Sequence, residues 1–194
     1  MPLSEFPTPI TRALATSADT DRLGRALAAT TREHVNAIAR AGLQVNLSGD
    51  LGSGKTSLVR SWLRSLGVAG PVRSPTFTVL EPYVVGLEAP GTANRLTGLE
   101  VQSISSLDFY HFDFYRFADP SEFSTAGFRD LFGAGRICVI EWPERAGERL
   151  PGADLVVTLQ VEGDGRRASM TATSTLGHAC LDSALKEFDA TAAA

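Results

Sequence analysis

The chain has 194 residues, of which 43% are apolar and 21% are charged, and its formal net charge is −4. This composition is typical of a globular domain and excludes an intrinsically disordered chain. The N-terminal residues lack the pattern of a secretory signal, and no apolar run approaches the ~20 residues that span a bilayer. The two distant cysteines, Cys138 and Cys180, fit neither a disulfide framework nor a metal site. We therefore expect a cytoplasmic protein without a membrane segment, whose acidic surface does not bind nucleic acid by itself.

The predicted helices and strands follow one another along a single domain, residues 1–194. Apolar residues at helical spacing predict helices over residues 20–39, from 54–56 to about 66, and over 179–188. Ser17 and Asp19 are candidate caps for the first helix. Apolar runs predict strands over residues 43–47, 77–85, 107–117, 137–140, 155–161 and 168–173. Residues 86–106, which are rich in glycine, serine and threonine, are predicted to form a surface insertion, and a flexible tail is predicted from about residue 189.

The sequence GDLGSGKT, from Gly49 to Thr56, matches the Walker A pattern G-x-x-x-x-G-K-[ST]. A predicted strand precedes it and a predicted helix follows it, which is the context that the pattern requires. In such a loop the glycines let backbone N–H groups surround phosphate oxygens, and the helix adds unpaired N–H groups and the positive end of its dipole. Lys55 is expected to reach the β- and γ-phosphates and Thr56 to hold Mg²⁺. The loop therefore predicts binding of a nucleoside triphosphate.

The motif that reads guanine in GTPases, N-K-x-D, does not occur in the sequence. Three asparagines, Asn36, Asn46 and Asn94, lie in other contexts. ATP is therefore the expected nucleotide.

Two acidic residues compete for the place beside the metal ion. Glu141 follows the apolar run 137–140, so it lies at the carboxyl end of a buried strand, where the ligand sites of α/β proteins are found. Asp113 lies in the aromatic-rich sequence HFDFYR and shares a strand face with Tyr115. The spacing favours Glu141 as the Walker B acid. The alternative is that one of the two acids is a solvated charge at a strand end.

Three further residues have both an ordinary and a functional interpretation. His111 shares a face with Asp113, and we interpret it as a hydrogen-bonded structural residue rather than a catalytic one. Thr76, in SPTF, offers a hydroxyl to Mg²⁺ or phosphate, or serves as ordinary turn chemistry before a strand. Trp142 directly follows Glu141. A tryptophan there usually packs in the core, but this one borders the predicted phosphate site.

The sequences GDLGSGKT, SPTF, EPY, HFDFYR and IEWPER, in this order, resemble the TsaE family, which is also called YjeE. The resemblance covers roughly residues 16–174. This family supplies an ATPase to the bacterial machinery that makes N6-threonylcarbamoyladenosine (t6A) beside the tRNA anticodon. The resemblance implies a three-layer, P-loop NTPase-like α/β fold whose mixed, mainly parallel sheet also has antiparallel hairpins. It also implies partnership with the TsaD and TsaB proteins, so that tRNA is reached only through the complex.

The resemblance also assigns roles to individual residues. Lys55, Asp113 and Glu141 form the catalytic set. Thr56 and Glu141 are implied ligands of Mg²⁺, and Asp113 is a second acid in the metal's outer shell or on the attacking water; which acid binds the metal directly stays open. The resemblance places Ser17 near the adenine and Arg166 near the nucleotide. The residues implied to bind ATP are Gly49, Asp50, Gly52, Ser53, Gly54, Lys55, Thr56, Ser57, Thr76, Trp142, Ser17 and Arg166.

Three functions are compatible with the loop. The first is an ATPase subunit, weak alone and stimulated by its partners, whose hydrolysis cycles the t6A complex. The second is a small-molecule or nucleoside kinase, for which Arg145 and Arg149 are the only arginine pair close after the EWP sequence. The third is a scaffold that binds ATP without hydrolysis. Asp113 and Glu141 weigh against the scaffold, because pure binding does not need a second acid.

Overall fold

The computed structural model of the protein describes residues 8–87 and 106–191. The helices are α1 Ser17–Glu33, α2 Val35–Ala41, α3 Lys55–Ser65, α4 Ser121–Thr125 and α5 Thr175–Ala190. Short 3₁₀ turns follow α4 and β5. The strands are β1 Ile10–Leu14, β2 Leu43–Ser48, β3 Leu80–Gly86, β4 Ser106–Asp113, β5 Arg136–Glu141, β6 Leu155–Glu162 and β7 Gly165–Ala172.

All seven strands join in one sheet in the order β1-β7-β6-β2-β5-β4-β3. The central strands β6, β2, β5 and β4 are parallel, while β3, β7 and β1 pair antiparallel at the two edges. This confirms the predicted α/β fold with a mixed sheet and antiparallel hairpins. In the register of the parallel strands, Glu141 is opposite both Leu47 and Asp113. The carboxyl ends of β2, β4 and β5 therefore meet at one point of the sheet edge.

The two faces of the sheet bury different cores. On one face, helices α1, α3 and α5 cover a large apolar cluster, in which Trp62 of α3 meets Phe109 of β4 with ring centroids 5.4 Å apart. On the other face, α4 and the turns around it pack against β4 and β5. We call this second cluster the aromatic cluster; its buried members are Phe112, Phe114, Phe117, Phe123, Cys138, Ile140 and Ala146.

The predicted first helix is wrong in two details. The chain leaves helical geometry at His34, which divides the predicted helix into α1 and α2. The cap of α1 is Thr16 and not Ser17, which is the first helical residue. The Thr16 hydroxyl accepts from the Asp19 backbone N–H, and the Asp19 carboxylate accepts from the Thr16 N–H at 2.9 Å. This reciprocal pair is a capping box, which satisfies two N–H groups at once.

The strands flanking the insertion are shorter than predicted. Residues 77–79 form a turn, because the Val79 N–H donates to the carbonyl of Pro75 and Val79 has a φ of 66°. Strand β4 ends at Asp113, and the chain then turns, with the Phe117 N–H donating to the carbonyl of Phe114. Strand β1 was not predicted.

The C-terminal elements are longer than predicted. Strand β7 begins at Gly165. Helix α5 begins at Thr175, capped by the hydroxyl of Ser174, and it continues to Ala190, past residue 189 where the tail was expected to begin.

Most of the predicted insertion, residues 88–105, lies outside the described residues, as do residues 1–7 and 192–194. Its two ends are described: Gly86 and Ser106 are paired at the end of the β3–β4 ladder. Within residues 8–87 and 106–191, no helix is both long and apolar enough to cross a membrane.

Candidate nucleotide-binding and catalytic site

The Walker A loop connects β2 to α3 and has a backbone that requires glycine. Gly49 has a φ of 131°, and a Cβ at this position would lie 2.1 Å from the carbonyl oxygen of Leu159. Gly54, at the N-cap of α3, has a φ of 107°. Because L side chains rarely adopt these angles, the glycines keep the loop close to the sheet and leave the first N–H groups of α3 open to a ligand.

Lys55, the first residue of α3, bends back over the loop. Its ammonium donates to the carbonyl oxygens of Gly49 at 2.6 Å and Asp50 at 3.0 Å, and it lies 4.1 Å from the ring centroid of Trp142. Burial lowers the pKa of Lys55, while the nearby charges of Glu141 and Asp113 oppose this shift. The ammonium is therefore held at the cleft by weak acceptors, for which the charged oxygens of a phosphate are stronger substitutes.

Glu141, the last residue of β5, is hydrogen-bonded to side chains of α3 and β4. Its Oε1 atom accepts from the Thr56 hydroxyl at 2.7 Å, and Nε2 of His111 lies 2.9 Å from the same oxygen. The Glu141 residue is only 2% exposed, yet it lines the cleft. The prediction that His111 is hydrogen-bonded is confirmed. That its partner is Glu141 was not predicted.

Asp113 connects the cleft to the SPTF turn. Its Oδ2 accepts from the Thr76 hydroxyl at 3.0 Å, and its Oδ1 accepts from the backbone N–H of Tyr115 at 3.0 Å. The hydroxyls of Ser74 and Thr76 are 2.8 Å apart. The turn is therefore fixed to the second acid by the hydrogen bond of the Thr76 hydroxyl.

Trp142 covers the cleft in a backbone conformation that is uncommon for a large residue. Its φ is 58°, and its ring centroid lies 5.1 Å from that of Tyr115. Tyr115, Ser74 and Leu51 also line the cleft, although sequence reasoning did not assign them to it. Tyr115 carried a signal in the sequence, since the predicted strand places it on the same face as Asp113.

A second cavity adjoins the cleft at the loop, and Gly54 and Ser57 line both. Ser17 and Arg166 line this second cavity. Arg166 also contacts the loop itself, because its Nε donates to the carbonyl oxygen of Ser53 at 3.1 Å. The structure thus brings Ser17 and Arg166 to the phosphate loop from distant parts of the chain.

The remaining predicted residues take part through their backbone. Gly49 and Asp50 offer their carbonyls to Lys55, and Ser53 is fully buried with a hydroxyl that has no partner within the described residues. Of the predicted set, Gly52, Gly54, Lys55, Thr56, Ser57, Thr76, Asp113, Glu141 and Trp142 line the cleft.

The oxygen atoms of the cleft fit Mg²⁺ bound together with a nucleotide. Thr56, Glu141 and Asp113 supply one hydroxyl and two carboxylates, which are hard ligands. Among the described residues, no group of three or more His, Cys, Asp and Glu side chains could hold an ion by itself. Mg²⁺ in phosphate-transfer sites uses few protein ligands and takes the rest from phosphates and water, so this donor set is sufficient.

Comparison with known proteins identifies the family. Residues 14–169 match the family model described as "Threonylcarbamoyl adenosine biosynthesis protein TsaE". The chain belongs to the TsaE family. The predicted resemblance is thereby confirmed over most of the chain.

Individual TsaE-family relatives are similar over comparable lengths. The TsaE protein of Haemophilus influenzae is 38% identical over 135 residues, which are 70% of this chain and 73% of that protein. The TsaE protein of Treponema pallidum is 34% identical, over 69% of this chain and 84% of its own. Both are described as tRNA threonylcarbamoyladenosine biosynthesis proteins.

The crystal structure of Bacillus subtilis YdiB superimposes on this TsaE-family chain with a TM-score of 0.66 and 21% identity. The superposition covers 94% of this chain and 98% of YdiB. This likeness shows the shared fold.

Proposed function

We propose that this TsaE-family protein binds ATP with Mg²⁺ and hydrolyses it in support of t6A synthesis on tRNA. The observation that carries the proposal is the convergence of Lys55, Thr56, Asp113 and Glu141 on one cleft, at the carboxyl ends of adjacent parallel strands. The descriptions of the relatives as t6A biosynthesis proteins support the pathway.

The described side chains suggest a division of work. Lys55 exchanges the carbonyls of Gly49 and Asp50 for β- and γ-phosphate oxygens, and the open N–H groups of α3 bind the remaining phosphate oxygens. Thr56 and Glu141 hold Mg²⁺, which when bound neutralises phosphate charge and orients the γ-phosphate. Asp113 orients the attacking water, and Thr76 holds the Asp113 carboxylate in place.

The second cavity is the proposed site of the adenosine. It adjoins the phosphate loop through Gly54 and Ser57, and Ser17 and Arg166 line it. Glu141 lines the cleft but not this second cavity, so an adenine placed there is separate from the proposed metal site, as an extended nucleotide requires.

We expect the isolated protein to be a slow ATPase. Within residues 8–87 and 106–191, no arginine lines the cleft around Lys55. An arginine supplied to the transition state contributes on the order of 10³–10⁵ in rate. A cleft without one leaves room for control by TsaD and TsaB, which we propose as the cytoplasmic partners that connect the protein to tRNA.

Phosphate release tests this proposal. Turnover is measured for the protein alone and then with TsaB, TsaD and tRNA, and t6A is measured in the same reactions. We expect slow release that rises by at least about tenfold with the partners, because a partner completes the charge stabilisation. Fast release by the protein alone, unchanged by the partners, would argue for an autonomous enzyme. Phosphate transfer that requires an added small-molecule acceptor would instead identify a kinase.

A further inference from the structure

His111 is a polar side chain in an apolar part of the core. It is fully buried in β4, on the face that carries Phe109 and packs against α3. Burying a polar group is unfavourable unless its hydrogen bonds are made. Its position therefore calls for a partner, and that partner is Glu141.

The hydrogen bonds of Glu141 are unevenly divided between its two oxygens. Oε1 meets both the Thr56 hydroxyl and Nε2 of His111, while Oε2 makes no hydrogen bond to any residue of 8–87 or 106–191. Because a carboxylate oxygen only accepts hydrogen bonds, Nε2 of His111 carries the hydrogen and donates it to Glu141. The other ring nitrogen, Nδ1, is buried and has no partner among the described residues. Among the described residues, Glu141 is thus the only hydrogen-bond partner of the ring, while burial in the core holds the ring in place.

The sheet register accounts for this contact. Asp113 is opposite Glu141 on the neighbouring parallel strand, and His111 precedes Asp113 by two residues on the same face. His111 therefore lies one layer deeper in the sheet than the two acids, between Glu141 and the apolar core. A ring at this depth reaches the carboxylate from behind and leaves the cleft open.

We propose that His111 is a positioning residue that holds Oε1 of Glu141, so that Oε2 is presented to Mg²⁺ in the cleft. This inference rests on the proposed function. A glutamate side chain has several rotatable bonds, and a fixed donor behind it selects the orientation that faces the metal. Residues that orient a metal ligand in this way typically change metal affinity or activity by about 10- to 100-fold when they are replaced.

Two amide substitutions separate hydrogen bonding from packing. The amide nitrogen of His111→Gln takes the place of Nε2 and reaches Glu141, whereas that of His111→Asn takes the place of Nδ1 and does not. His111→Leu is the apolar variant of similar size. Thermal unfolding of each variant establishes that it is folded before its binding is compared.

The central measurement is ATP affinity with and without Mg²⁺, together with kcat and KM. We expect ATP affinity without Mg²⁺ to be the same in all variants. The gain in affinity from Mg²⁺, and kcat, should fall by about 10- to 100-fold in His111→Asn and His111→Leu, and His111→Gln should restore most of both. Equal losses in the Gln and Asn variants would show that the ring acts by packing. Wild-type values in His111→Asn would overturn the positioning role.

A second measurement examines the hydrogen bond without nucleotide. In protein labelled with ¹⁵N at histidine, the Nε2–H of His111 should give an exchange-protected resonance that is absent in His111→Gln and lost in Glu141→Ala. Absence of this resonance from the wild type would overturn the inference while leaving the proposed function intact. A wild-type protein whose ATP binding ignores Mg²⁺ would overturn the proposed function and the role of His111 together, even if the resonance is present.

Discussion

The two faces of strands β4 and β5 differ in what they carry to the end of the sheet. On the face toward α3, Phe109 is followed along β4 by His111 and Asp113, and Glu141 ends the neighbouring strand. On the opposite face, Phe112 and Phe114 lead into stacked phenyl rings. The period of two of a strand thus lets one short sequence, HFDFYR, supply polar groups to the cleft and apolar groups to a core.

The two faces therefore have different roles: one supplies the residues of the cleft, and the other stabilises the fold. Asp113 and Glu141 are buried polar groups, 4% and 2% exposed, and burying such groups is unfavourable without partners. The aromatic cluster on the other face supplies apolar burial and ring contacts that stabilise the fold. We therefore expect substitutions beside the cleft to change nucleotide chemistry, and substitutions in the aromatic cluster to change the free energy of unfolding.

Lys55→Ala should have the largest effect on the cleft side. Hydrogen bonds to charged groups contribute about 1.5–3 kcal/mol each, so losing two bonds to phosphate should reduce ATP affinity by about 100-fold or more. The unfolding midpoint should change little. Calorimetry with ATP and Mg²⁺ measures the affinity, and Lys186→Ala, at the exposed second lysine of the chain, is the control. Unchanged affinity in folded Lys55→Ala would show that the loop does not bind phosphate.

Phe112→Ala should have the opposite signature. Phe112 is fully buried and contacts Phe114, Phe128 and Phe132, so its removal should destabilise the fold by about 3–5 kcal/mol. The ATP affinity of the folded fraction should be retained. Denaturant unfolding measures the first quantity, and Phe77→Ala, at a phenylalanine that is 84% exposed, is the matched control. Loss of affinity without loss of stability would show that the two faces are not separable.

Glu141→Gln and Asp113→Asn should reduce hydrolysis more than binding. Replacing a metal-side carboxylate should reduce turnover by about 10- to 100-fold, while Lys55 and the loop continue to bind phosphate. The exposed Glu148→Gln is the control. Hydrolysis rate and ATP affinity are compared for each variant. Normal turnover in either variant would show that the substituted acid does not have its proposed role.

Sequence predicts the phosphate loop and the strands beside it, because glycine spacing and continuous apolar runs are local signals. Strand β1 gives no such signal, since Leu14 is its only buried residue. The sequence of residues 77–79 predicts a strand because Phe77 and Val79 are apolar. In the structure Phe77 is exposed, and the backbone of Val79 is bonded both to Pro75 nearby and to Asp113 on the neighbouring strand.

The same limit applies to the site. Glu141 can be predicted from its place after an apolar run, because position at a strand end is visible along the chain. The contact between His111 and Glu141 depends on the register of two strands whose contacting residues are 30 positions apart. The bond from Arg166 to Ser53 joins residues 113 positions apart. Such contacts follow from the assembled sheet, so local pattern alone cannot supply them.

The smallest effect on ATP affinity should come from a change at the amino end of β4, which is the end of the strand far from the cleft. We expect replacement of residues 88–105 by a short turn to leave ATP affinity within about twofold, the range of most surface changes. Gly86 and Ser106 are already paired, so a short turn can join β3 to β4 without moving either strand. Ser106 lies seven residues from Asp113, about 23 Å along a strand, which isolates the cleft from the junction.

Shortening this connection should also reduce the entropy cost of closing it, by about 0.6 kcal/mol for each halving of its length, so stability should hold or rise slightly. Calorimetry with ATP and thermal unfolding of the shortened protein measure both quantities, and Val85 and Leu87, which are buried, are kept so that the junction retains its packing. A large loss of affinity would mean that the replaced segment reaches the cleft. A large loss of stability with normal affinity would mean that the segment packs on the core. The amino end of β4 would then contribute to the stability of the fold, and its carboxyl end to nucleotide binding and hydrolysis.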